Sequence, residues 1–472
     1  MTDCDICVIG AGSGGLTVAA AAARFGRNVV LIEREKMGGD CLNYGCVPSK
    51  ALIAAARRAQ TMREAAPFGI GSVEPQIDFA AVVARVKNTI AAIAPKDSEE
   101  RFTKLGVKVI RASARFIDRD TVEAMGERIT ARRFVIATGS SPAIPAIPGL
   151  TVVPYLTNET IFDLSERPSH LIAMGGGPAG VELAQAFRRL GSEVSIIEAA
   201  NPLGKEDPEL AAVAIEALKN EGVTIHGHAQ VTKIRKTPDG IAIALAGSGT
   251  PDEIVGSHLL IATGRRPNIE RLGLMEAGIA FTAQGITVDA GLRTSNRKAY
   301  AIGDVSGGLQ FTHAANYQAG LVIRNALFRL PVRVSIDHIP HVTFTDPELA
   351  RVGLSESEAR ERQGALVSVA RASFNDNDRA RIDRRSIGFV KIIVGRRGRI
   401  LGAGIVGPEA GELIQAFSLA IARRCSVKDL INMVAAYPTL GETAKQAAIN
   451  HYAGLAGNWW VRRLIGLLAA FG

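Results

Sequence analysis

Short apolar runs alternate with glycine-rich turns and Ala-rich segments along the first part of the chain. The apolar run at 6–9, the glycine turn at 10–15, the segment at 16–25 and the run at 28–32 predict a strand, a tight turn, a helix and a second strand. A continuous apolar run bounded by turns is typical of a parallel strand that is covered on both faces. This stretch therefore predicts a βαβ unit.

The same order of elements returns in the middle of the chain. It predicts a strand at 170–174, a glycine turn at 175–180, a helix at 181–190 and a strand at 193–197. Between the two units, the periodicity of residues 79–105 predicts one long amphipathic helix with Lys and Arg on its polar side. The chain is therefore expected to contain two similarly built halves.

Two further apolar runs end in the same three residues, Ala-Thr-Gly, at 137–139 and 262–264. From residue 341 the pattern changes to shorter strand-like segments and one helical segment at 411–423, which predicts an α+β domain. We therefore predict an α/β protein with two Rossmann-like dinucleotide-binding domains and a C-terminal α+β domain. The predicted boundaries are 1–149, 150–270, 271–336 (the second part of the first domain) and 337–472.

Each predicted βαβ unit has a G-x-G-x-x-G turn and a carboxylate at the end of its second strand. In that context the glycines admit a pyrophosphate to the helix N-terminus, and the carboxylate accepts hydrogen bonds from the ribose hydroxyls. The residues are Gly10, Gly12, Gly15 and Glu33 in the first unit and Gly175, Gly177, Gly180 and Glu198 in the second. The sequence therefore predicts two dinucleotide sites. Glu198 favours NADH because it would repel the 2′-phosphate of NADPH, although the nearby Lys205 would favour that phosphate.

Cys41 and Cys46 flank a turn that leads into a predicted helix at 51–64. A regular helix would point residues five apart in different directions, but Gly45 permits unusual dihedral angles and Pro48 lacks the N–H that would close the first turn. If Cys46 lies near the helix start, the positive end of the helix dipole favours its thiolate. The pattern admits either a redox pair or two inert buried thiols.

The composition is that of a globular protein of about three domains, with 472 residues, 47% hydrophobic and 21% charged. The net charge of +9 is compatible with nucleic acid or anionic lipid as a partner. Few aromatic residues accompany the basic ones, and no nucleic-acid-binding motif is present. A solvated basic face is therefore the interpretation, and nucleic acid is not an expected partner.

The other cysteines predict neither a metal site nor a disulfide framework. Cys4 and Cys7 form a C-x-x-C, but Cys7 lies inside the first predicted strand and no second pair completes a metal site, so both are interpreted as packing residues. Five cysteines leave at least one thiol unpaired. The N-terminus has no basic region or cleavage site typical of secretion. A cytoplasmic location is therefore expected.

Together these motifs resemble the flavin-dependent pyridine nucleotide-disulfide oxidoreductases, which include dihydrolipoamide dehydrogenases, glutathione reductases and mercuric reductases. The resemblance covers nearly the whole chain. It rests on the two glycine turns, the stretch from Cys41 to Lys50, the two Ala-Thr-Gly endings and Gly303-Asp304. It implies a homodimer with FAD on the first half, NAD(P)H on the second half, and the last domain at the subunit interface.

The resemblance also implies roles for single residues. Cys46 would be the thiolate that contacts the flavin, and Cys41 the outer thiol that exchanges with substrate. Lys50 and Glu182 would form an ion pair beside the flavin and nicotinamide, and Asp304 would bind the ribityl chain. The other implied cofactor-binding residues are Thr138, Gly139, Gly264 and Gly303. Without the resemblance, Glu182 would be interpreted as a helix-surface carboxylate, Lys50 as a solvated side chain, and Asp304 as the cap of a turn.

One position departs from the family pattern. Thiol-disulfide members of the family have a His-Pro-Thr segment followed by a Glu, whereas this chain has Tyr437-Pro438-Thr439 followed by Glu442. An unperturbed tyrosine titrates near pH 10, so it is a poor base at neutral pH, although its hydroxyl can donate a hydrogen bond. His451 is an alternative base, but its position favours a helix-surface or core histidine. Mercuric reductases are similar in that they also have a tyrosine in this region. They end in a pair of adjacent cysteines, however, and residues 458–472 of this chain contain no cysteine.

The C-terminal tail at 459–472 is apolar, with two tryptophans and two arginines. It is shorter than the ~20 residues of a transmembrane helix. It would either pack against the partner subunit, which we favour, or lie on a membrane surface as an amphipathic segment.

The sequence thus predicts an FAD- and NAD(P)H-dependent oxidoreductase, with NADH preferred. A hydride would pass through FAD to the Cys41–Cys46 disulfide and then to an external acceptor, as in dihydrolipoamide dehydrogenase or mercuric reductase. The alternatives are a quinone or metal-ion reductase that acts at the flavin, and a flavoprotein redox sensor.

Overall fold

The computed structural model describes residues 2–247, 249–456 and 458–471. The α-helices are α1 (Ser13–Arg24), α2 (Gly39–Asn43), α3 (Cys46–Arg63), α4 (Phe79–Ile93), α5 (Glu99–Lys104), α6 (Pro178–Arg189), α7 (Pro208–Asn220), α8 (Thr312–Phe328), α9 (Glu356–Gln363), α10 (Asp378–Ile382), α11 (Ala410–Ala422), α12 (Val427–Asn432), α13 (Glu442–Asn450), α14 (Ala453–Ala456) and α15 (Trp459–Leu468).

The strands are β1 (Thr2–Ile9), β2 (Val29–Ile32), β3 (Val107–Ile110), β4 (Ala114–Phe116), β5 (Thr121–Ala124), β6 (Glu127–Ile136), β7 (Ser140–Pro142), β8 (His170–Met174), β9 (Glu193–Ile197), β10 (Thr224–His226), β11 (Gln230–Thr237), β12 (Gly240–Ala246), β13 (Glu253–Gly256), β14 (His258–Ile261), β15 (Arg265–Pro267), β16 (Phe281–Thr282), β17 (Gly285–Ile286), β18 (Ala299–Ala301), β19 (His341–Thr343), β20 (Glu348–Gly353), β21 (Ser368–Ser373), β22 (Phe389–Val394) and β23 (Ile400–Gly407).

The chain folds into two compact units. The first contains the residues up to 175, 186–199 and 228–334, and the second contains 176–185, 200–227 and 335–472. The predicted division into four segments is a different partition of the chain and stays a prediction.

The first unit is built on a sheet in the order β3-β2-β1-β6-β5-β4, in which β18 also pairs with β6. The strands β1, β2, β3, β6 and β18 run parallel. Their apolar side chains are buried on both faces, which explains the continuous apolar runs in the sequence. Because the strands are parallel, the residues that follow Ile9, Ile32 and Ile136 lie at one edge of the sheet, where ligands bind in folds of this kind.

The first unit also contains a second parallel sheet, in which β8 lies between β9 and β14. The predicted strands at 170–174 and 193–197 are confirmed residue for residue as β8 and β9. The antiparallel strands β11, β12 and β13 form a separate sheet.

The second unit contains an antiparallel sheet in the order β19-β20-β23-β22-β21. The helices α11 and α13 contact this sheet, and Phe374, Ile405 and Phe417 are fully buried in the shared core. The predicted α/β class with a C-terminal α+β domain is therefore confirmed.

The predicted single helix at 79–105 is wrong. It is interrupted after Ile93 by a 3₁₀ turn at Ala94–Asp97, and α5 starts afresh at Glu99. Pro95 has no N–H to continue the helix, and the Ser98 hydroxyl caps the next one by accepting a hydrogen bond from the Arg101 N–H at 3.2 Å. Both signals were present in the sequence.

Cys4 and Cys7 lie in β1 and are buried, which confirms that they are packing residues. Burial raises the pKa of the Cys4 thiol to about 12 and raises that of Cys7 as well. Among the described residues, no helix combines the length and the apolar character needed to cross a bilayer.

Candidate active site

The first glycine turn connects β1 to α1. Gly10 has φ +102°, and a Cβ on it would lie 2.4 Å from the Ala137 carbonyl oxygen. A Cβ on Gly15 would lie 1.9 Å from the Gly10 carbonyl oxygen, whereas Gly12, the N-cap of α1, faces open space. The turn therefore needs glycine at both ends for close packing and leaves its centre free for a phosphate group.

Glu33 follows β2 at the same sheet edge and is only 9% exposed. Its carboxylate accepts hydrogen bonds from the backbone N–H of Ala11 at 2.6 Å and of Glu35 at 2.7 Å. These bonds fix the carboxylate beside the glycine turn, where the sequence predicts contact with a ribose.

Arg265 links the cysteine loop to Asp304. Its guanidinium lies 3.0 Å from the carboxylate of Asp40 and 3.9 Å from that of Asp304, and its Nε donates to the Ser140 hydroxyl at 2.7 Å. The Ser140 hydroxyl in turn donates to Asp304. Burial raises the pKa of the Asp304 carboxyl, although the bond from Ser140 and the charge of Arg265 oppose that shift.

A cavity of about 340 Å³ lies between the start of α1, the cysteine loop and the start of α8. Its lining includes Ser13, Gly38, Cys41, Val47 and Thr312. The open space at Gly12, the fixed carboxylate of Glu33 and this cavity beside the thiols fit an elongated dinucleotide. The residues of the first unit therefore fit FAD.

The thiol pair lies where a short helix ends and α3 begins. Cys41 is in α2, Tyr44 and Gly45 leave helical geometry, and Cys46 is the first residue of α3. The two thiols are not joined by a disulfide; Cys46 is exposed and Cys41 is half-buried. The predicted helix at 51–64 thus starts earlier than expected, at the cysteine itself.

The surroundings of Cys46 favour its thiolate. The hydrogen bond from Cys41 lowers the pKa of Cys46 to about 6, with further lowering from Thr312 and Lys50. Protein atoms packed around the sulfur, although the residue is exposed elsewhere, and the charge of Asp40 act in the opposite direction. The same hydrogen bond and burial raise the pKa of Cys41. The pair therefore holds one proton, which resides on Cys41, while Cys46 carries the negative charge near neutral pH.

Thr312 contacts this thiolate but was not predicted from the sequence. Thr312 is the first residue of α8, which packs against α1. Its hydroxyl lies 3.5 Å from the Cys46 sulfur. Next to a thiolate the hydroxyl donates, so Thr312 stabilises the charged form.

Thr312→Val is expected to raise the pKa of Cys46 because it removes this hydrogen bond to the thiolate. A hydrogen bond to a charged group contributes about 1.5 kcal/mol, which corresponds to about one pH unit. The rate of iodoacetamide alkylation of the reduced enzyme, measured against pH, should show its midpoint shifted upward by that amount. Thr312→Ser keeps the hydroxyl and should retain the wild-type midpoint. An unchanged midpoint in Thr312→Val would show that Thr312 does not stabilise the thiolate.

The remaining predicted cofactor residues of the first unit lie at turns. The Thr138 hydroxyl donates to the Asn268 carbonyl at 2.8 Å, which joins the first Ala-Thr-Gly segment to the residue that follows β15. Gly139, Gly264 and Gly303 all have positive φ, and a Cβ on Gly139 or Gly264 would meet no atom within 4 Å. Their assignment to cofactor binding stays a prediction.

The second glycine turn repeats the geometry of the first at its start. Gly175 has φ +114°, and a Cβ on it would lie 2.3 Å from the Ala262 carbonyl oxygen. A Cβ on Gly10 would meet the Ala137 carbonyl oxygen in the same way. Gly177 faces open space, and Gly180 lies in the first turn of α6. Glu198 follows β9 and is half-buried.

Glu182 does not lie on a helix surface, so that interpretation is wrong. It is 5% exposed, and its carboxylate accepts a hydrogen bond from the Phe344 N–H at 2.8 Å. Lys50 lies in α3 and is half-buried. The two residues belong to different units, and their ion pair stays a prediction.

Tyr437 lies in the second unit before a cis-proline, and its side chain is 72% exposed. Its hydroxyl donates to the Asp378 carboxylate at 3.1 Å, and this bond raises the pKa of the phenol. Glu442 begins α13 and accepts a hydrogen bond from the Thr439 N–H at 3.2 Å. The phenol is therefore a donor whose orientation Asp378 fixes.

His451 caps the C-terminus of α13, where burial lowers the pKa of its imidazole. In the part of the chain that the structure describes, His, Cys, Asp and Glu side chains form no cluster of three that would hold a metal ion.

Comparison with known proteins identifies the family. Residues 4–319 match pyridine nucleotide-disulphide oxidoreductases, and residues 339–448 match the dimerisation domain of the same proteins. The chain therefore belongs to the pyridine nucleotide-disulfide oxidoreductases and is an FAD-dependent enzyme that uses a pyridine nucleotide. The match to the dimerisation domain supports the predicted homodimer.

The similar proteins include mercuric reductases and dihydrolipoyl dehydrogenases. The chain is 36% identical to a mercuric reductase of Streptomyces lividans, over 95% of this chain and 96% of the relative. It is 35% identical to a dihydrolipoyl dehydrogenase of Geobacillus stearothermophilus, over 93% and 94%. Among solved structures, the HOCl-induced flavoprotein disulfide reductase RclA of Escherichia coli superposes with a TM-score of 0.84 and 29% identity, over 94% of this chain and 99% of that one.

Proposed function

We propose that the chain is an NADH-dependent reductase whose Cys41–Cys46 pair serves a thiophilic acceptor, with a soft metal ion such as Hg²⁺ as the first candidate. The observation that carries this proposal is the position of the Cys46 sulfur at the start of α3, 3.5 Å from the Thr312 hydroxyl and with a lowered pKa, in a chain with a proton-donating tyrosine at the family's histidine position. Bound FAD would supply the two-electron relay between nicotinamide and the thiol pair.

The chain's own residues would bind that cofactor and prepare the thiols. The first glycine turn and Glu33 would hold its adenosine diphosphate part, and Asp304 its ribityl part. Thr312 and Lys50 would keep Cys46 as a thiolate, and Cys41 would hold the shared proton until the acceptor arrives. Loss of that proton makes both sulfurs available as soft ligands, which suit a thiophilic metal ion. The overall reaction, NADH + Hg²⁺ → NAD⁺ + Hg⁰ + H⁺, balances in electrons and charge.

Tyr437 supports a metal ion over a disulfide as the acceptor. Thiol-disulfide exchange needs a group that takes a proton from the attacking thiol and returns it to the leaving thiol. Asp378 raises the pKa of the Tyr437 phenol, so the phenol keeps its proton at neutral pH and is a poor base. A metal ion that binds two thiolates does not need a proton returned to a leaving thiol.

Turnover with several acceptors tests this proposal. NADH oxidation by the purified flavoprotein would be measured in parallel with Hg²⁺, lipoamide, glutathione disulfide and a quinone. We expect Hg²⁺ to be reduced fastest among the four. Fast lipoamide turnover would make the enzyme a dihydrolipoamide dehydrogenase, quinone turnover alone would place the reaction at the flavin, and slow turnover with all four would favour a redox sensor.

Tyr437→His is expected to raise lipoamide turnover by at least about tenfold, because it supplies a base that titrates near neutral pH. The measurement is kcat with lipoamide in the wild type and the variant. Tyr437→Phe, the matched control, removes the hydroxyl without adding a base and should show no gain. Equal lipoamide turnover in all three proteins would mean that position 437 does not limit the reaction.

The enzyme should prefer NADH to NADPH because Glu198, at the end of β9, would repel a 2′-phosphate. The ratio of kcat/KM for the two nucleotides measures this preference, and Glu198→Gln should reduce it. Comparable values for both nucleotides in the wild type would contradict this assignment of Glu198.

A further inference from the structure

The carboxylate of Asp40 lies against the turn that carries the two thiols. Asp40 directly precedes Cys41 in the chain. A Cβ on Gly45, the residue before Cys46, would lie 2.8 Å from the Asp40 Oδ2 atom. The backbone N–H of Tyr44 also donates to the Asp40 carbonyl at 2.8 Å. A negative charge at this point opposes a second one on Cys46, because like charges in one site disfavour each other.

Arg265 compensates this charge from a distant part of the same unit. Its Nη2 atom lies 3.0 Å from the Asp40 carboxylate. Two bonds to Ser140 fix the guanidinium, because Nε donates to the hydroxyl at 2.7 Å and Nη2 donates to the carbonyl at 2.8 Å. The Arg265 side chain is 23% exposed and that of Asp40 38%, so water screens the pair only in part. A guanidinium that is already ordered loses little entropy when it binds a carboxylate.

Asn158 holds the same carboxylate in a different way. Its side-chain amide donates to Asp40 Oδ1 at 2.9 Å and to the Tyr44 carbonyl at 3.2 Å, so it bridges two points of the cysteine turn. A neutral amide fixes the position of a carboxylate but does not cancel its charge. The position and the charge of Asp40 therefore depend on different residues, and mutation can separate them.

Other charged and titratable groups surround the same residues. Besides Asp40, the charge on Cys46 is affected by Cys41, Thr312 and Lys50, and His313 follows Thr312 on α8. Glu159 and Asp304 interact with both Asp40 and Arg265, and Arg34 and Glu35 act on Glu159 in turn. Asp97 and Arg101 line the same cavity as Cys41. Substitution of Asp40 or Arg265 leaves all of these groups in the protein.

We propose that Arg265 is a positioning residue for the thiol pair, which holds and neutralises the Asp40 carboxylate so that the cysteine turn can carry a thiolate at Cys46. This inference rests on the proposed role of Cys41 and Cys46 as a redox pair. Arg265 acts on Cys46 through Asp40, so the effect of its removal depends on the presence of that carboxylate.

The pH dependence of Cys46 alkylation tests this role. Iodoacetamide would be added to the reduced holoenzyme at a series of pH values, and the alkylated fraction of the peptide with Cys46 would be measured by mass spectrometry. We expect Arg265→Met to raise the midpoint by about half a pH unit or more, because the Asp40 charge is no longer compensated. The matched control is Arg266→Met. That side chain is 61% exposed and pairs with Glu270 at 3.0 Å, so its loss should leave the midpoint unchanged.

A double-mutant cycle with Asp40→Asn separates charge compensation from a structural effect. Asp40→Asn should lower the midpoint, since it removes the opposing charge. Arg265→Met should then cause no upward shift when it is added to Asp40→Asn. An unchanged midpoint in Arg265→Met, or an equal upward shift with and without the Asp40 carboxylate, would overturn the proposal.

Flavin absorbance of each variant gives a second measurement. If Arg265→Met binds less FAD or folds poorly, Asp40→Asn should restore both properties, because the uncompensated carboxylate would be their cause. A double variant as defective as Arg265→Met would overturn the proposal. Alkylation needs no electron acceptor, so a failure here would leave the proposed acceptor untouched. Slow turnover with Hg²⁺ together with the expected midpoints would contradict the proposed function alone.

Discussion

Cys41→Ser is expected to leave the reduction of bound FAD by NADH intact and to lower turnover with Hg²⁺ or lipoamide by at least about a thousandfold. The hydride transfer from nicotinamide does not need the outer thiol, whereas delivery to an external thiophilic acceptor needs both sulfurs. Stopped-flow absorbance of the flavin measures the first step, and steady-state NADH oxidation measures the second.

The structure predicts a second signature of the same variant. The hydrogen bond from Cys41 is the largest cause that lowers the pKa of Cys46, and a serine hydroxyl can replace part of it. Cys46 should therefore remain reactive towards iodoacetamide near neutral pH in Cys41→Ser. Cys425→Ser, which removes a half-buried cysteine of the second unit, is the matched control and should turn over normally. Wild-type turnover in Cys41→Ser would refute the role of the pair.

Lys391→Met is expected to destabilise the second unit by about 3 kcal/mol or more, with a fall in Tm of about 6 °C or more. Lys391 lies in β22 with a side chain that is only 3% exposed. Its ammonium lies 2.8 Å from Asp207, 2.7 Å from Glu209 and 3.0 Å from Glu356. Removal of the cation leaves these carboxylates close together. Asp207, with a 9% exposed side chain, loses its cation and keeps the hydrogen bond from the Glu209 N–H.

Arg371→Met is the matched control for Lys391→Met. Arg371 contacts the same Glu209 at 2.7 Å, but both side chains are more than 40% exposed, so water screens the pair. We expect a loss of less than about 1 kcal/mol in this variant. Similar losses in the two variants, measured by thermal unfolding of the holoenzyme, would contradict the buried role of Lys391.

The same cluster predicts how the stability of the second unit depends on pH. Hydrogen bonds from Arg371 and Lys391 lower the pKa of Glu209 to about 2 although burial opposes them, and Lys391 and Arg360 lower that of Glu356. Carboxylates with depressed pKa values stabilise the fold above their unfolded pKa near 4.5, so this contribution should disappear as the pH falls from about 4.5 towards 2. Burial lowers the pKa of Lys391, but its three carboxylate partners raise it above 10.5 overall. The contribution of the Lys391 cation to the stability of the fold should therefore disappear as the pH rises above 10.5.

The sequence was most informative where the chemistry is local in the chain. The glycine turns and the Cys41–Cys46 stretch are continuous segments, and each one constrains its own backbone through glycine or proline. Their positions at strand ends and a helix start follow from the apolar runs beside them. The apolar periodicity of residues 79–105 predicts one long helix, but Pro95 and the Ser98 cap end one helix and start another within it.

Contacts between distant segments could not be predicted from the sequence in the same way. Thr312 is 266 positions from Cys46, and Asp378 is 59 positions from Tyr437. A threonine at the start of a helix and an aspartate in a basic stretch are ordinary residues until the fold brings them to a thiol or a phenol. Lys391 is a similar case, because only the fold brings the carboxylates at the starts of α7 and α9 to its position in β22.

The number of electrons that each chain accepts distinguishes a redox-active cysteine pair from two inert thiols. An anaerobic titration of the oxidised enzyme with NADH would be followed by flavin absorbance and by counting free thiols. If Cys41 and Cys46 form a redox-active pair, the wild type accepts four electrons for each chain, two on FAD and two on the disulfide, and gains two thiols, whereas Cys41→Ser accepts two and gains none. Two electrons in both proteins, with no new thiols in the wild type, would show that Cys41 and Cys46 take no part in electron transfer.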